Sequence, residues 1–487
     1  MLQKKFTNAS HSKLGNTKLL LFLIVLFGLV LRLAFFSGIG TSDDLAYTRY
    51  AIDVGEEIDP ESTLTLSTRL GIIYTTALSY KLFGINDFSS VLFVLLTSVG
   101  SIILVFYFGK LLFNGKVGLM AAFLLSFFPL DVVYSTKLLT DIPSAFFMAL
   151  GVYLFLYAEK KHKLKYGLSY FLSGISIGIG YFIRESALLI ALFFIIYILY
   201  KRKIKKEYFL VPLGILVIFV IEVFILLQVT GDPLFRTHTS QEYLIEAMVI
   251  HDYFGRSDFP MSLFYYPYII LTSKLTSFFY VFIFIAIIYS IIYKKKETYN
   301  MLFWFLPLLL YLSFGSASFT QYIPFVAKTR YLSIITIPGM LLLAFFLTDK
   351  RIIAKRVIMP LSLIILLTTS IIFVNLREDR NLLDGLRTTY PYLETLDKPI
   401  FIDDRSVKAL DYISGYNNLM DMRRYPSDLS NIKDSYLVIN KEMIKNLKAA
   451  NKSRVFPPEI HTTPTKWMVI KEIGKDDENK IVIYYVP

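Results

Sequence analysis

Cysteine is absent from the 487 residues. That excludes disulfides, thiolate metal sites and cysteine nucleophiles, and it leaves the redox compartment open. Histidine is scarce, with 5 residues, and His238 and His251 lack the spacing of metal ligands. There is no Walker loop, no Gly-x-Gly-x-x-Gly and no Gly-x-Ser-x-Gly, so nucleotide-driven and serine-hydrolase chemistry have no support. Short-period repeats and low-complexity tracts are also missing.

Apolar residues are plentiful. They make up 55% of the chain, with a mean hydropathy of +0.54, above the range of soluble globular proteins. Many stretches approach the roughly 20 apolar residues that cross a bilayer. The pattern predicts a mainly α, polytopic membrane protein with about eleven transmembrane helices. The expected spans are 19–36, 88–108, 117–134, 143–157, two short ones within 167–200 broken at Arg184-Glu185, 209–229, one ending at Lys294, 302–314, 331–347 and 357–374. The run 19–36 is longer than the core of a cleaved signal, so it reads as a retained helix.

The net charge of +13 could suggest nucleic acid, but its distribution excludes that partner. Lysines and arginines crowd the short loops at Lys110–Lys116, Lys160–Lys165, Lys201–Lys206, Lys294–Lys296 and Lys350–Arg356. That is the positive-inside pattern, and it places the N-terminus in the cytoplasm of what reads as a plasma-membrane protein. The first outer loop, 39–87, opens with a polar stretch carrying Asp53, Glu56, Glu57, Asp59 and Glu61. It continues into 69–84, an apolar but short segment expected to lie along the outer surface as an interfacial helix.

After Leu376 the long apolar runs stop. Lys398–Asp404, Ser435–Asn440, Lys466–Glu472 and Lys480–Val486 have strand patterning, Ser406–Ile413 and Lys441–Ala449 have helical patterning, and 475–479 reads as a turn. The expected organisation is a transmembrane domain over 1–375 and a small α/β extracytoplasmic domain over 376–487, where Asn451-Lys452-Ser453 forms a glycosylation sequon.

Charge placed near lipid is costly, so its positions carry information. Asp43 and Asp44 follow the first span directly, with Tyr47 one helical turn on, and Asp141 recurs at an outer edge in Asp141-Ile142-Pro143. A carboxylate there can serve as general base toward a hydroxyl. Asp141 can equally be a helix N-cap with proline in the first turn. Arg69, Lys137, Arg184, Lys328 and Arg330 are cations at outer boundaries, against the positive-inside trend, and are suited to phosphate. Snorkelling and a local Arg184-Glu185 ion pair are the plainer readings. Glu222 falls inside the 209–229 span, the usual mark of a functional or paired group.

These motifs, in this order, resemble the GT-C membrane glycosyltransferases, in the branch of the protein O-mannosyltransferases and the aminoarabinose transferases that modify lipid A. The resemblance rests on Asp43-Asp44-Leu45-Ala46-Tyr47, on Arg69-Leu70-Gly71-Ile72-Ile73-Tyr74 with Leu82-Phe83-Gly84, and on Asp141-Ile142-Pro143, Arg184-Glu185 and Arg330-Tyr331. It covers about residues 19–350. It implies transfer of a mannose-like or related sugar from a polyprenyl-phosphate donor to an extracytoplasmic glycan, lipid or protein, with inversion. It implies Asp43 as base with Asp44 and Asp141 in support. Donor contacts would come from Arg69, Tyr47, Lys137, Arg184, Glu185, Lys328, Arg330 and Tyr331. It fixes no cofactor, although the acids could hold a divalent cation. Trp304 and Trp467 are the only tryptophans, so a Trp-Trp-Asp acceptor motif is absent. The rival classes are a lipid-carrier-dependent polysaccharide ligase or polymerase, which would want a long late outer loop, and a transporter, which would want inverted repeats.

Overall fold

The computed structural model describes residues 2–54, 66–161, 167–249, 264–316, 322, 328–349, 355–376, 383–417, 420–429, 432–449, 456–457, 459–462, 464–474 and 480–487. The readings attached to His251, Glu56, Glu57, Asp59 and Glu61, the turn at 475–479 and the sequon at 451–453 fall outside them. Two compact units emerge. One comprises Met1–Phe36, Asp53–Thr75 and Val91–Glu378; the other comprises Ser37–Ile52, Thr76–Ser90 and Asp379–Pro487.

In chain order the helices are α1 (Leu2–Ala34), α2 (Asp43–Ile52), α3 (Leu70–Phe83), α4 (Asp87–Leu112), α5 (Gly115–Ser126), α6 (Pro129–Tyr134), α7 (Asp141–Lys161), α8 (Gly167–Ile183), α9 (Ala191–Lys201) and α10 (Leu210–Thr230). They continue as α11 (Phe235–Val249), α12 (Tyr265–Thr272), α13 (Phe279–Ile292), α14 (Tyr299–Phe314), α15 (Ser333–Thr348) and α16 (Lys355–Asn375). The last are α17 (Asp384–Leu393), α18 (Asp404–Ile413), α19 (Lys441–Ala449) and α20 (Glu459–Thr462). Among the described residues, six stretches are long and apolar enough to cross a membrane: Asn16–Ala34, Asp87–Leu112, Asp141–Lys161, Lys206–Thr230, Thr329–Thr348 and Val357–Asn375. With α5, α8 and α13 as shorter apolar helices, this is an integral membrane protein.

Several other expected spans are short or interrupted helices. The segment 117–134 is one: α5 ends at Ser126 and α6 starts at Pro129, because proline disfavours helical backbone at the residue before it and Phe128 is extended there. The break at Arg184-Glu185 is real. Arg184 adopts φ −161°, ψ 136°, and a 3₁₀ turn over Glu185–Ile190 leads into α9.

The membrane unit packs around α15, whose side chains are nearly all buried. Trp304 donates its indole N–H to the Ile334 carbonyl at 3.1 Å, beside Phe108 and Phe193. Helices in lipid associate through close packing, and small residues at the crossings permit it. α8 and α10 touch backbone to backbone: a Cβ on Gly174 would stand 2.0 Å from the Val211 carbonyl oxygen, and one on Gly214 2.4 Å from that of Phe171. Gly174→Leu is expected to destabilise the protein by about 3 kcal/mol or more. Gly167→Ala, which would meet only Leu210 at 3.8 Å, should be neutral. Thermal unfolding in detergent measures both.

The second unit holds a five-stranded sheet of β1 (Ile400–Ile402), β2 (Met422–Arg424), β3 (Ser435–Asn440), β4 (Met468–Ile473) and β5 (Ile481–Val486), in the order β2-β1-β3-β5-β4. β1 runs parallel to β2 and β3, while β5 is antiparallel to β3 and β4. Leu437, Ile439, Trp467 and Val486 form its core with Met443 of α19. β2 and α17 escape sequence reading. β2 is an edge strand with both arginines exposed, and α17 contains two threonines and Pro391. α2 packs on α18 in this unit, where Thr48 Oγ1 and the Tyr416 hydroxyl stand 2.7 Å apart. Asp87, at the start of α4, accepts from Arg387 at 2.6 Å and from Tyr412 at 2.9 Å.

Candidate active site

The two adjacent acids, Asp43 and Asp44, take different roles at the start of α2. Asp44 is buried, and its carboxylate accepts the backbone N–H groups of Gly40, Ser42 and Leu45. It ties the incoming loop to the first helical turn, where the helix dipole favours a negative charge. Asp43 is half-buried, with the Ser42 hydroxyl 3.4 Å from one carboxylate oxygen. Tyr47 is fully buried.

In the membrane unit, Asp141, Arg184, Arg330 and Tyr331 come together. α7 starts at Asp141 itself, so the carboxylate does not act as the expected N-cap but turns to Arg184. Arg330 Nε lies 3.6 Å from the other carboxylate oxygen, which accepts no hydrogen bond among the described residues. The guanidinium of Arg184 stacks over the Tyr331 ring at 4.5 Å, with Arg330 5.7 Å from the same ring. The break in α8 makes this possible: Arg184 N–H still bonds the Gly180 carbonyl, while its extended backbone sends the side chain across to α7. Two guanidiniums against one carboxylate leave one net positive charge.

Arg69 and Glu185 belong to a neighbouring network. Glu185 stands 3.9 Å from Arg69 and 3.9 Å from Arg236. Arg236 pairs with Glu222 at 2.9 Å and donates to the carbonyls of Thr68, Tyr181 and Phe182. Burial pushes the Glu185 carboxyl up, but the fields of Arg69, Arg236 and Arg184 outweigh it and hold the group below its ordinary range. Glu222 is therefore a paired charge. Arg236 was not among the expected residues, although a cation just past the end of the 209–229 span satisfies the rule that singled out Arg69. Lys137 lies 5.7 Å from the Tyr134 ring, and Lys328 is exposed ahead of the 3₁₀ turn Thr329–Leu332. His238 pairs with Asp232 at 2.6 Å. Among the described residues, no three His, Asp or Glu side chains converge to hold a metal ion.

A second buried pair was also missed. Arg32 of α1 is fully enclosed, pairs with Asp131 of α6 and donates to Ser98 Oγ at 2.7 Å, the Gly28 carbonyl at 2.9 Å and the Ser126 carbonyl at 3.0 Å. An arginine inside the first apolar run was the available signal. Arg32→Met strands Asp131 and should cost about 3–5 kcal/mol, whereas Arg32→Met with Asp131→Leu should recover most of it. Melting temperatures of the two variants check this.

Residues 70–226 match the family described as dolichyl-phosphate-mannose-protein mannosyltransferase. That stretch holds Asp141, Arg184 and Glu185, while Asp43, Arg236 and Arg330 lie outside it. No curated protein matches the chain in sequence. Among solved structures, apo ArnT from Cupriavidus metallidurans is similar with a TM-score of 0.63 at 14% identity, over 95% of this chain and 97% of that one. The same protein bound to undecaprenyl phosphate gives 0.60 at 12% identity, over 96% and 98%. The oligosaccharyltransferase AglB from Archaeoglobus fulgidus, in complex with an inhibitory peptide and a dolichol-phosphate, gives 0.59 at 12% identity, over 96% of this chain and 75% of that one. These identities speak for the fold, and the family match over residues 70–226 speaks for a glycosyltransferase. The chain is a membrane glycosyltransferase of GT-C fold, related to the mannosyltransferase and aminoarabinose transferase group.

Proposed function

We propose that this enzyme moves one sugar from a polyprenyl-phosphate donor to an acceptor hydroxyl on the extracytoplasmic face, inverting the anomeric carbon. The observation that carries the reading is the Asp141–Arg184–Arg330–Tyr331 cluster. Its surplus positive charge suits a phosphodiester, and forked guanidinium contacts are the usual means of holding phosphate. The similar ArnT and AglB structures contain undecaprenyl phosphate and dolichol-phosphate. Asp43 is the base. It takes the acceptor proton, the freed oxygen bonds to the anomeric carbon, and the carbon–oxygen bond to phosphate breaks with its electron pair leaving on polyprenyl phosphate. Asp44 supports this by fixing the first turn of α2. Glu222, an ionisable group within a span of the kind a transporter would use, is paired with Arg236.

In this reading the N-terminus is cytoplasmic, residues 376–487 are extracytoplasmic and the membrane is the plasma membrane. The test is sugar transfer by the purified protein from a panel of polyprenyl-phosphate sugars. Transfer from at least one donor is expected. Failure to bind polyprenyl phosphate at all would sink the reading.

A further inference from the structure

The membrane unit carries an apolar groove of about 370 Å³. Its walls include Phe155 of α7, Ile177 of α8, Phe194 and Ile198 of α9, and Val211 and Ile215 of α10. Every lining side chain except Tyr208 is hydrocarbon. Ile204 and Phe209, at the end near the α9–α10 loop, are 67% and 69% exposed, so the groove opens outward there.

That end is strongly basic. Lys201, Arg202, Lys203 and Lys206 are all exposed, and none has an acidic partner among the described residues. Lys205 differs: it pairs with Glu159 at 2.7 Å, where Tyr170 and Tyr197 also donate. Arg202 turns the chain in the left-handed region, φ 50°, so the loop folds back against the groove mouth.

Helix α7 gives the scale. Asp141 and Glu159 are 18 residues apart on it, about 27 Å at 1.5 Å per residue. That is close to the roughly 30 Å hydrocarbon thickness of a bilayer. A headgroup at the Lys201–Lys206 loop therefore lies in the opposite leaflet from a phosphate held by Arg184. A lipid held at that loop would therefore be distinct from a donor whose phosphate is held by Arg184.

We propose that the groove binds an acyl chain of an anionic phospholipid, with the headgroup phosphate held by Lys201, Arg202, Lys203 and Lys206. Anionic lipids gather at juxtamembrane basic clusters, and basic pockets between helices bind their headgroups. The apolar walls supply the chain contacts that a bare basic loop lacks.

The test uses the full-length protein in nanodiscs of phosphatidylcholine mixed with phosphatidylglycerol, followed by native mass spectrometry of retained lipid. The parent should retain phosphatidylglycerol over phosphatidylcholine by about tenfold. Replacing Lys201, Arg202, Lys203 and Lys206 together by Ala should abolish that preference with the melting temperature unchanged, since all four are exposed. Ala191→Trp, which fills the groove, should lower retention of both lipids. Equal retention of the two lipids by the parent overturns the proposal, as does an undiminished preference in the fourfold variant. Displacement of phosphatidylglycerol by added polyprenyl phosphate overturns it too, by assigning the groove to the donor's tail.

Discussion

Asp43→Asn should lower sugar transfer by about 10³-fold, within the range for removal of a general base, while donor affinity and melting temperature stay as in the parent. The substitution keeps the shape of the side chain and removes its ability to accept a proton. Asp43 is half-buried at the first position of α2, so the amide can be accommodated. Asp44→Asn is the informative contrast. That carboxylate accepts three backbone N–H groups, and an amide offers only one oxygen for them. Its loss should appear as a lower melting temperature together with lower activity. Transfer assays and melting curves on the pair separate the roles. Full activity in folded Asp43→Asn would remove it from the chemistry and turn attention to Asp44.

Arg184→Met should weaken donor binding by about 10- to 100-fold, the worth of one or two charge-assisted hydrogen bonds. It should also cost about 3–5 kcal/mol of stability, because among the described residues Asp141 is left buried with only Arg330, 3.6 Å away, to face it. The two effects can be divided. Combining Arg184→Met with Asp141→Leu removes both charges and should restore much of the melting temperature. Binding of polyprenyl phosphate should stay weak, since Arg184 is still missing. If binding returns with stability, the cluster is a structural brace and the phosphate contact lies elsewhere. Titration with polyprenyl phosphate, alongside melting, reads both quantities.

The folding of the sheet unit shows where reading the chain stops. β3 spans Ser435–Asn440 in both the sequence pattern and the structure, because its consecutive apolar residues Leu437, Val438 and Ile439 suit a central strand buried on both faces. β2 does not announce itself, because an edge strand of Met422, Arg423 and Arg424 draws its register from β1 rather than from its own pattern. The break at Arg184-Glu185 was legible because two charges interrupt an apolar run. The break at Phe128-Pro129 falls inside the expected span 117–134, where proline's steric effect on the preceding residue is the local signal for it.

Among the site residues, type and approximate depth were legible and partnership was not. That Asp141, Arg184 and Arg330 are suspects follows from the cost of charge near lipid. That one carboxylate holds one arginine and faces the other depends on α7, the break after α8 and the turn before α15 meeting in one place. Arg236 and Arg32 make the same point. One lies just past the end of an apolar stretch and the other inside one, and each becomes an enclosed ion-pair partner only when a distant helix brings Glu222 or Asp131 to it. Hydropathy, charge asymmetry and local motifs act over a few residues, so the chain by itself determined the membrane class, most helix positions and the candidate acids and cations. Pairing over tens of residues is decided by helix packing, here by contacts as close as that of Gly174 on Val211, and only the tertiary structure could supply it.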